Sequence, residues 1–367
     1  NLLTGVCCSY YDSIPVVLIT GQVPTSQLKR NSQSRQIGFQ ETDVVSIFGS
    51  ITKYAVLIDN AEDIRYELEK AFFIAKEGRP GPVLLDICDD IQRADINPDE
   101  LRQYIIPEIK PSKISSLLDS MISLINVSKR PLMVFGGGVR AAGAVQLARE
   151  VIDLLGIPFT LTWGAMDCMP GDHPKYVGGF GVTSGRAGNF AVQNADLLLC
   201  FGTRLDTHEA GPSYQTFARE AKKVVIDIDP AEQKKYREMG LEIDLLITAD
   251  VRDIFEGMAS RIEAFSVQDL SSWLEWIYRW KSNYPICLDE YRSQAERVNP
   301  YIFMNSLAKN IDENAILVTD CGSNLIWTMQ GVKASGSSRF ISAFNHSPMG
   351  YSLPASMGAA IADPNRQ

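Results

Sequence analysis

The sequence predicts an α/β protein built mainly from parallel sheets, and three observations predict it. Short β-branched runs alternate with helical patterns along the whole chain, the signature of βαβ units. The helical stretches carry apolar residues at three- and four-residue spacing, as amphipathic helices do. The length of 367 residues is too great for one ordinary core and implies two or three domains.

Strands are predicted at 15–20, 53–57, 83–87, 132–135, 158–161, 197–201, 224–228, 316–319 and 340–343, each a run rich in Val, Ile, Leu or Phe. Helices are predicted at 61–76, 142–155, 251–265 and 301–310. Residues 93–114 mix prolines and charges without a core period and read as a linker. A weaker break follows the Trp- and Tyr-rich helical region 270–297, where Val298-Asn299-Pro300 restarts a helix–strand–helix pattern. The chain thus divides into 1–92, a middle piece of 115–297 and 298–367. The middle piece has a full βαβ pattern. The first and last are expected to be incomplete, since no strand precedes 15–20 and the sequence stops just after an apolar, Gly-rich helix.

Composition excludes several classes. The formal net charge is −9 and the pI near 5.0, so the overall field repels nucleic acid and anionic membranes. No apolar run approaches the roughly 20 residues that span a bilayer, and the first residues lack the basic start of a signal peptide, so a cytoplasmic location is expected. The seven cysteines form no C-x-x-C pair and read as reduced core residues. The three histidines, His173, His208 and His346, do not fall at metal-ligand spacing, and no metal ligand is assigned.

Gly136-Gly137-Gly138-Val139-Arg140-Ala141 follows a strand and opens a helix, matching a G-x-G-x-x-A pattern whose glycines let backbone amides approach a phosphate. The acidic residue expected at the end of the next strand is missing, with Thr160 and Thr162 there instead. A tight turn for strand–helix packing is the alternative. Strand 197–201 ends in Thr203-Arg204-Leu205-Asp206, and strand 224–228 in Asp227-Ile228-Asp229. Both place polar groups where open α/β sheets bind ligands. Arg204 suits a phosphate and Asp227 a ribose or ring donor; a salt bridge from Arg204 to an aspartate is the alternative.

At this point the sequence resembles a known family. The segments NLLTG, YYDSIPVVLITGQVP, GFQETDVVSIFGSITKYAV, AFFIAKEGRPGPVLLDI, ADLLLCFGTRLD, VVIDIDPAE and SPMGYSLPASMGAAIADP follow, in order, stretches characteristic of acetolactate synthase large subunits. These are thiamine-diphosphate-dependent enzymes. The resemblance implies a three-domain fold with a pyrimidine-binding, a middle nucleotide-binding and a diphosphate-binding domain. Its implied activity decarboxylates a 2-oxo acid such as pyruvate and joins the two-carbon unit to a second oxo acid, in branched-chain amino acid biosynthesis. A decarboxylase or lyase, and a non-catalytic nucleotide-binding protein, are the rival readings. A homodimer or homotetramer is implied, because the cofactor sits between two subunits, and a regulatory subunit is a further implied partner.

Residue by residue, Phe39 and Gln40 match the family's F-Q-E loop, which lines the substrate channel. Gly322, Ser323 and Asn324 occupy the loop that contacts the diphosphate. Pro348, Met349 and Gly350 match the segment whose apolar residue props the cofactor into its bent form. For FAD, which the biosynthetic enzymes carry, Gly137, Gly138, Thr162, Arg204, Asp206, Asp227, Ile228 and Asp250 fall at matching positions.

The sequence also departs from the family. Gly322-Ser323-Asn324 stands for a usual G-Q-H, Asp89 for a lysine, His208 for an arginine and Thr183 for a histidine, and the loop 21–38 is longer and more basic. On the resemblance, Glu41 is not the glutamate that protonates the aminopyrimidine, which is expected before Asn1. The G-D-G…N motif that holds Mg2+ is expected after Gln367, so the 367-residue chain alone is expected to be inactive.

Overall fold

The computed structural model describes residues 1–108, 114–294 and 296–367. These fall into two compact units: residues before 109 with Ala343–Pro348, and residues from Ile114 to Ser342 with Met349–Gln367.

The first unit holds a three-stranded parallel sheet of β1 (Val17–Gln22), β2 (Tyr54–Ile58) and β3 (Val83–Cys88) in the order β1-β3-β2. β3 lies between the other two, which is why its VLLDIC run is almost wholly buried. Alternate side chains serve opposite faces. Leu84 packs with Val6, Leu18, Phe48 and Ile51 on one side, while Val83 and Leu85 pack with Ala71 and Ala75 of the helix Ile64–Lys76 on the other. The stretch read as a linker meets the helix Ile64–Lys76 at two of its residues. Tyr104 N–H donates to Glu69 at 2.7 Å, and the Arg102 guanidinium sits 3.8 Å from the Tyr66 ring centroid. Residues 109–113 of that stretch lie outside the described residues.

The second unit contains a five-stranded parallel sheet in the order β5-β4-β6-β7-β8: β4 (Pro131–Phe135), β5 (Phe159–Leu161), β6 (Leu197–Phe201), β7 (Lys222–Asp227) and β8 (Leu245–Thr248). β4 and β6 are buried at every position, as strands covered on both faces are. Strand order reverses between them, so the crevice at their carboxyl ends is the expected ligand position of an open α/β sheet. A separate pair, β9 (Ile316–Val318) and β10 (Arg339–Ile341), is also parallel.

Two expectations are corrected. β8 is absent from the predicted strands, because only four residues of it follow a charged turn. The helix predicted from 142 begins at Val145, since Gly143 adopts φ +62° and breaks the first turn. Cys8, Cys88, Cys168 and Cys200 are buried, and all seven cysteines are free thiols. Among the described residues no helix is long and apolar enough to cross a membrane.

Candidate functional site

In the first unit the F-Q-E loop is held from below by a buried polar network. Asp86, at the carboxyl half of β3, accepts from Thr20 Oγ1 at 2.7 Å and Gln22 Nε2 at 2.8 Å, and the same Gln22 amide donates to the Thr42 carbonyl at 2.7 Å. Asp90 accepts from the Thr25 N–H at 2.9 Å and its hydroxyl at 2.6 Å. Both carboxylates thus fix the ends of loop 21–42 through partners more than 60 positions apart in sequence.

Glu41 closes the loop by accepting from the Ile37 N–H at 2.9 Å and from the Lys29 N–H. These backbone donors hold its carboxyl below the usual range. Its place is structural. Gly38 is tightly enclosed: a Cβ there would lie 3.0 Å from Val23 Cγ1, 3.0 Å from Gln27 Cβ and 3.2 Å from the Gln27 carbonyl oxygen. The loop displays Phe39 at 85% exposure and sets Gln40 at φ +67°, a strained geometry for a non-glycine residue. An aromatic side chain this exposed has no packing role within its own unit.

In the second unit, β9 leads into Asp320, Gly322 adopts φ +84°, and the helix Ser323–Gly331 begins. Ser323 and Asn324 are exposed at its first turn, no side chain caps it, and the first N–H groups of a helix have no intrahelical partner. A Cβ on Gly322 or Gly350 would meet nothing within 4 Å, so the backbone there borders open space.

Asp320 brings the two predicted cofactor segments together. Its carboxylate accepts from Cys321 N–H at 2.8 Å, from Gly350 N–H at 2.9 Å and from Ser352 Oγ at 3.1 Å, and these donors push its pKa down to about 2. Met349 is 90% exposed, which removes ordinary core packing as its explanation. Pro348 precedes it in the segment that belongs to the first unit.

At the carboxyl edge of the five-stranded sheet the glycine run divides its roles. A Cβ on Gly136 would lie 2.2 Å from the Gly202 carbonyl oxygen, and one on Gly138 2.7 Å from Gly202 Cα. Those two glycines serve the packing of the β4 loop on the β6 loop. Gly138 N–H is also spent on the Gly202 carbonyl at 2.9 Å, and the helix that follows, Gly138–Ala141, is a single turn. Gly137 is different: its Cβ would stand 3.5 Å from Gly164, an ordinary contact.

Arg204 pairs with Asp206 at 2.9 Å. Asp227 accepts from Asp229 N–H at 2.8 Å, and Ile228 between them is half-buried. Asp250 caps the helix Val251–Ser260 through Arg252 N–H at 2.8 Å. Thr162 is buried, and its N–H bonds the Phe135 carbonyl at 3.0 Å. Two of the departures from the family touch each other: His208 Nε2 and Thr183 Oγ1 are 2.7 Å apart, and the His208 ring lies 4.1 Å from that of Trp163. Burial holds the His208 pKa below its usual value.

Glu209 was not singled out from sequence. It accepts from Thr203 Oγ1 at 2.6 Å, and burial, reinforced by Asp206, pushes its pKa from 4.5 up to about 7. A carboxyl whose folded-state pKa is raised costs stability wherever it must ionise. Stability is therefore expected to fall as pH rises from about 4.5 through about 7. Thermal melts across that window should show Glu209→Gln flat where the parent declines, and parallel curves would refute the assignment.

The profile of the thiamine pyrophosphate enzyme central domain matches residues 118–258, and that of the C-terminal TPP-binding domain matches residues 320–367. The chain belongs to the thiamine pyrophosphate enzyme family. Within it, the chain is 32% identical to a probable acetolactate synthase large subunit of Methanocaldococcus jannaschii, over 99% of this chain and 61% of the relative. It is 32% identical to the acetolactate synthase isozyme 1 large subunit of Escherichia coli, over 100% and 62%. It is 35% identical to the chloroplastic acetolactate synthase 2 of Zea mays, over 99% and 56%. The chain spans about three-fifths of the length of these relatives. The TPP-binding match begins at Asp320, the residue that joins the Gly322 and Gly350 segments.

Proposed function

We propose that the protein is a thiamine-diphosphate-dependent carboligase of acetolactate synthase type, decarboxylating a 2-oxo acid such as pyruvate and joining the two-carbon unit to a second oxo acid. The observation that carries this reading is the cradle around Asp320, where an uncapped helix start, two glycines bordering open space and an exposed thioether converge. Its remaining donors fit the cofactor: the first N–H groups of the helix Ser323–Gly331 and the Ser323 hydroxyl for a diphosphate, and a flexible sulfur for a ring face. When bound, thiamine diphosphate supplies the carbanion stabilisation that decarboxylation of a 2-oxo acid requires.

The chain's own residues then have distinct tasks. The backbone at Gly322 and the side chains of Ser323 and Asn324 hold the diphosphate. Asp320 keeps Gly350 and Cys321 in register, and Met349 props the cofactor. Phe39 and Gln40 receive the oxo acid and exclude water. The three-domain division at 93–114 and 297 belongs to the same proposal, as do a homodimer or homotetramer, a regulatory subunit and a cytoplasmic location. Among the described residues no group of three or more His, Cys, Asp or Glu could hold a metal ion.

Flavin is the second cofactor proposed, along the carboxyl edge of the five-stranded sheet. Gly137 with its ordinary clearance, Arg204, Asp227 at the end of β7 and the helix-capping Asp250 suit phosphate and ribose. Retention of flavin absorbance after gel filtration, lost in Arg204→Ala, is the expected result. Colourless protein after reconstitution would remove flavin from the proposal.

The substrate assignment has its own test. Gln40→Ala is expected to lower turnover with a 2-oxo acid while leaving thiamine diphosphate affinity unchanged, because the lost contact is to the reacting group. Steady-state kinetics indistinguishable from those of the parent would count against it.

A further inference from the structure

The loop proposed to hold the diphosphate is flanked by β9 on one side and the helix Ser323–Gly331 on the other, and each is tied to the loops at the carboxyl edge of the five-stranded sheet. The first tie runs through Asp167, in the loop after β5, whose side chain is only 4% exposed. It accepts from Arg140, in the one-turn helix Gly138–Ala141, at 2.8 Å, from Arg339 Nε at 2.8 Å and from Phe340 N–H at 3.0 Å. Arg339 and Phe340 pair with Ile316 and Leu317 of β9, and the Thr319 N–H then bonds the Ile341 carbonyl at 3.0 Å, one residue before Asp320. The second tie is Gln330, in the last turn of the helix. Its amide donates to the Thr183 carbonyl and accepts from Tyr301 Oη at 2.7 Å. Thr183 is the residue bonded to His208.

We infer that Asp167 and Gln330 are positioning residues for the diphosphate loop, holding the strand before it and the helix after it against the carboxyl edge of the middle sheet. Neither touches the loop itself. A buried carboxylate with two arginines and a backbone donor holds its strand in one register, because losing the charge strands two cations. The helix end is fixed separately, so the loop between them is held at both sides. The inference rests on the thiamine diphosphate reading above.

The test titrates the full-length protein with thiamine diphosphate in the presence of magnesium, by calorimetry, beside thermal melts of the same samples without cofactor. Asp167→Asn and Gln330→Met are each expected to weaken cofactor affinity about threefold to thirtyfold, the span of couplings carried through packed contacts. Arg339→Lys, which keeps a cation beside Asp167, is expected to retain more affinity than Arg339→Met. A merely structural role would lower the melting temperature and leave the affinity of the folded fraction unchanged. That result in both variants overturns the inference, and if Asp167→Asn does not fold, Gln330→Met decides it. No saturable binding by the parent protein would overturn the cofactor reading, and the inference with it.

Discussion

Gly136→Ala is expected to destabilise the second unit by about 3 kcal/mol, while Gly137→Ala, one position along, is expected to be nearly neutral. The contrast follows from backbone, not from side chains that could move aside. At position 136 an added methyl would sit 2.2 Å from the Gly202 oxygen and 2.6 Å from Thr203 Cα, so β4 and β6 would have to separate at their carboxyl ends. At 137 the nearest atom would be 3.5 Å away. Urea denaturation of the three proteins measures the difference. Equal midpoints for Gly136→Ala and the parent would show that the two loops are not in contact.

Asp320→Ala is expected to weaken thiamine diphosphate binding about tenfold to a hundredfold, since a misplaced binding group loses the advantage of preorganisation. The carboxylate holds Gly350 and Ser352 against Cys321, and alanine removes the acceptor that these donors share. The effect has a pH signature in the parent. The folded pKa of about 2 lies below the ordinary 3.8, so the contribution is complete above about pH 4 and is lost as pH falls towards 2. Titrating cofactor into both proteins at neutral pH reads the effect, and equal affinities would exclude Asp320 from the site's organisation.

The middle sheet was the most legible part of the sequence because its strands are buried on both faces and read as continuous apolar runs. Residues 197–201 are predicted and observed with the same ends. β8 escaped because four residues beside a charged turn give no period to count. The F-Q-E and P-M-G segments were legible as motifs, and the structure leaves Phe39 and Met349 exposed.

What holds those segments was not legible. Asp320 bonds Gly350, 30 positions on, and Asp86 bonds Gln22, 64 positions back, and neither spacing leaves a local pattern. The glycine run shows the opposite limit. Sequence left a phosphate cradle and a packing turn as alternatives, and the backbone distances give Gly136 and Gly138 to packing. His208 and Thr183 were each visible as departures, but only their 2.7 Å contact makes them one coupled change.

The most direct test incubates the full-length protein with pyruvate, thiamine diphosphate and magnesium, and follows acetolactate by its conversion to acetoin. Acetoin is expected, dependent on added cofactor and diminished in Asp320→Ala and Gln40→Ala. Acetaldehyde in place of acetoin, or pyruvate left unconsumed with cofactor at saturation, would contradict the carboligase proposal.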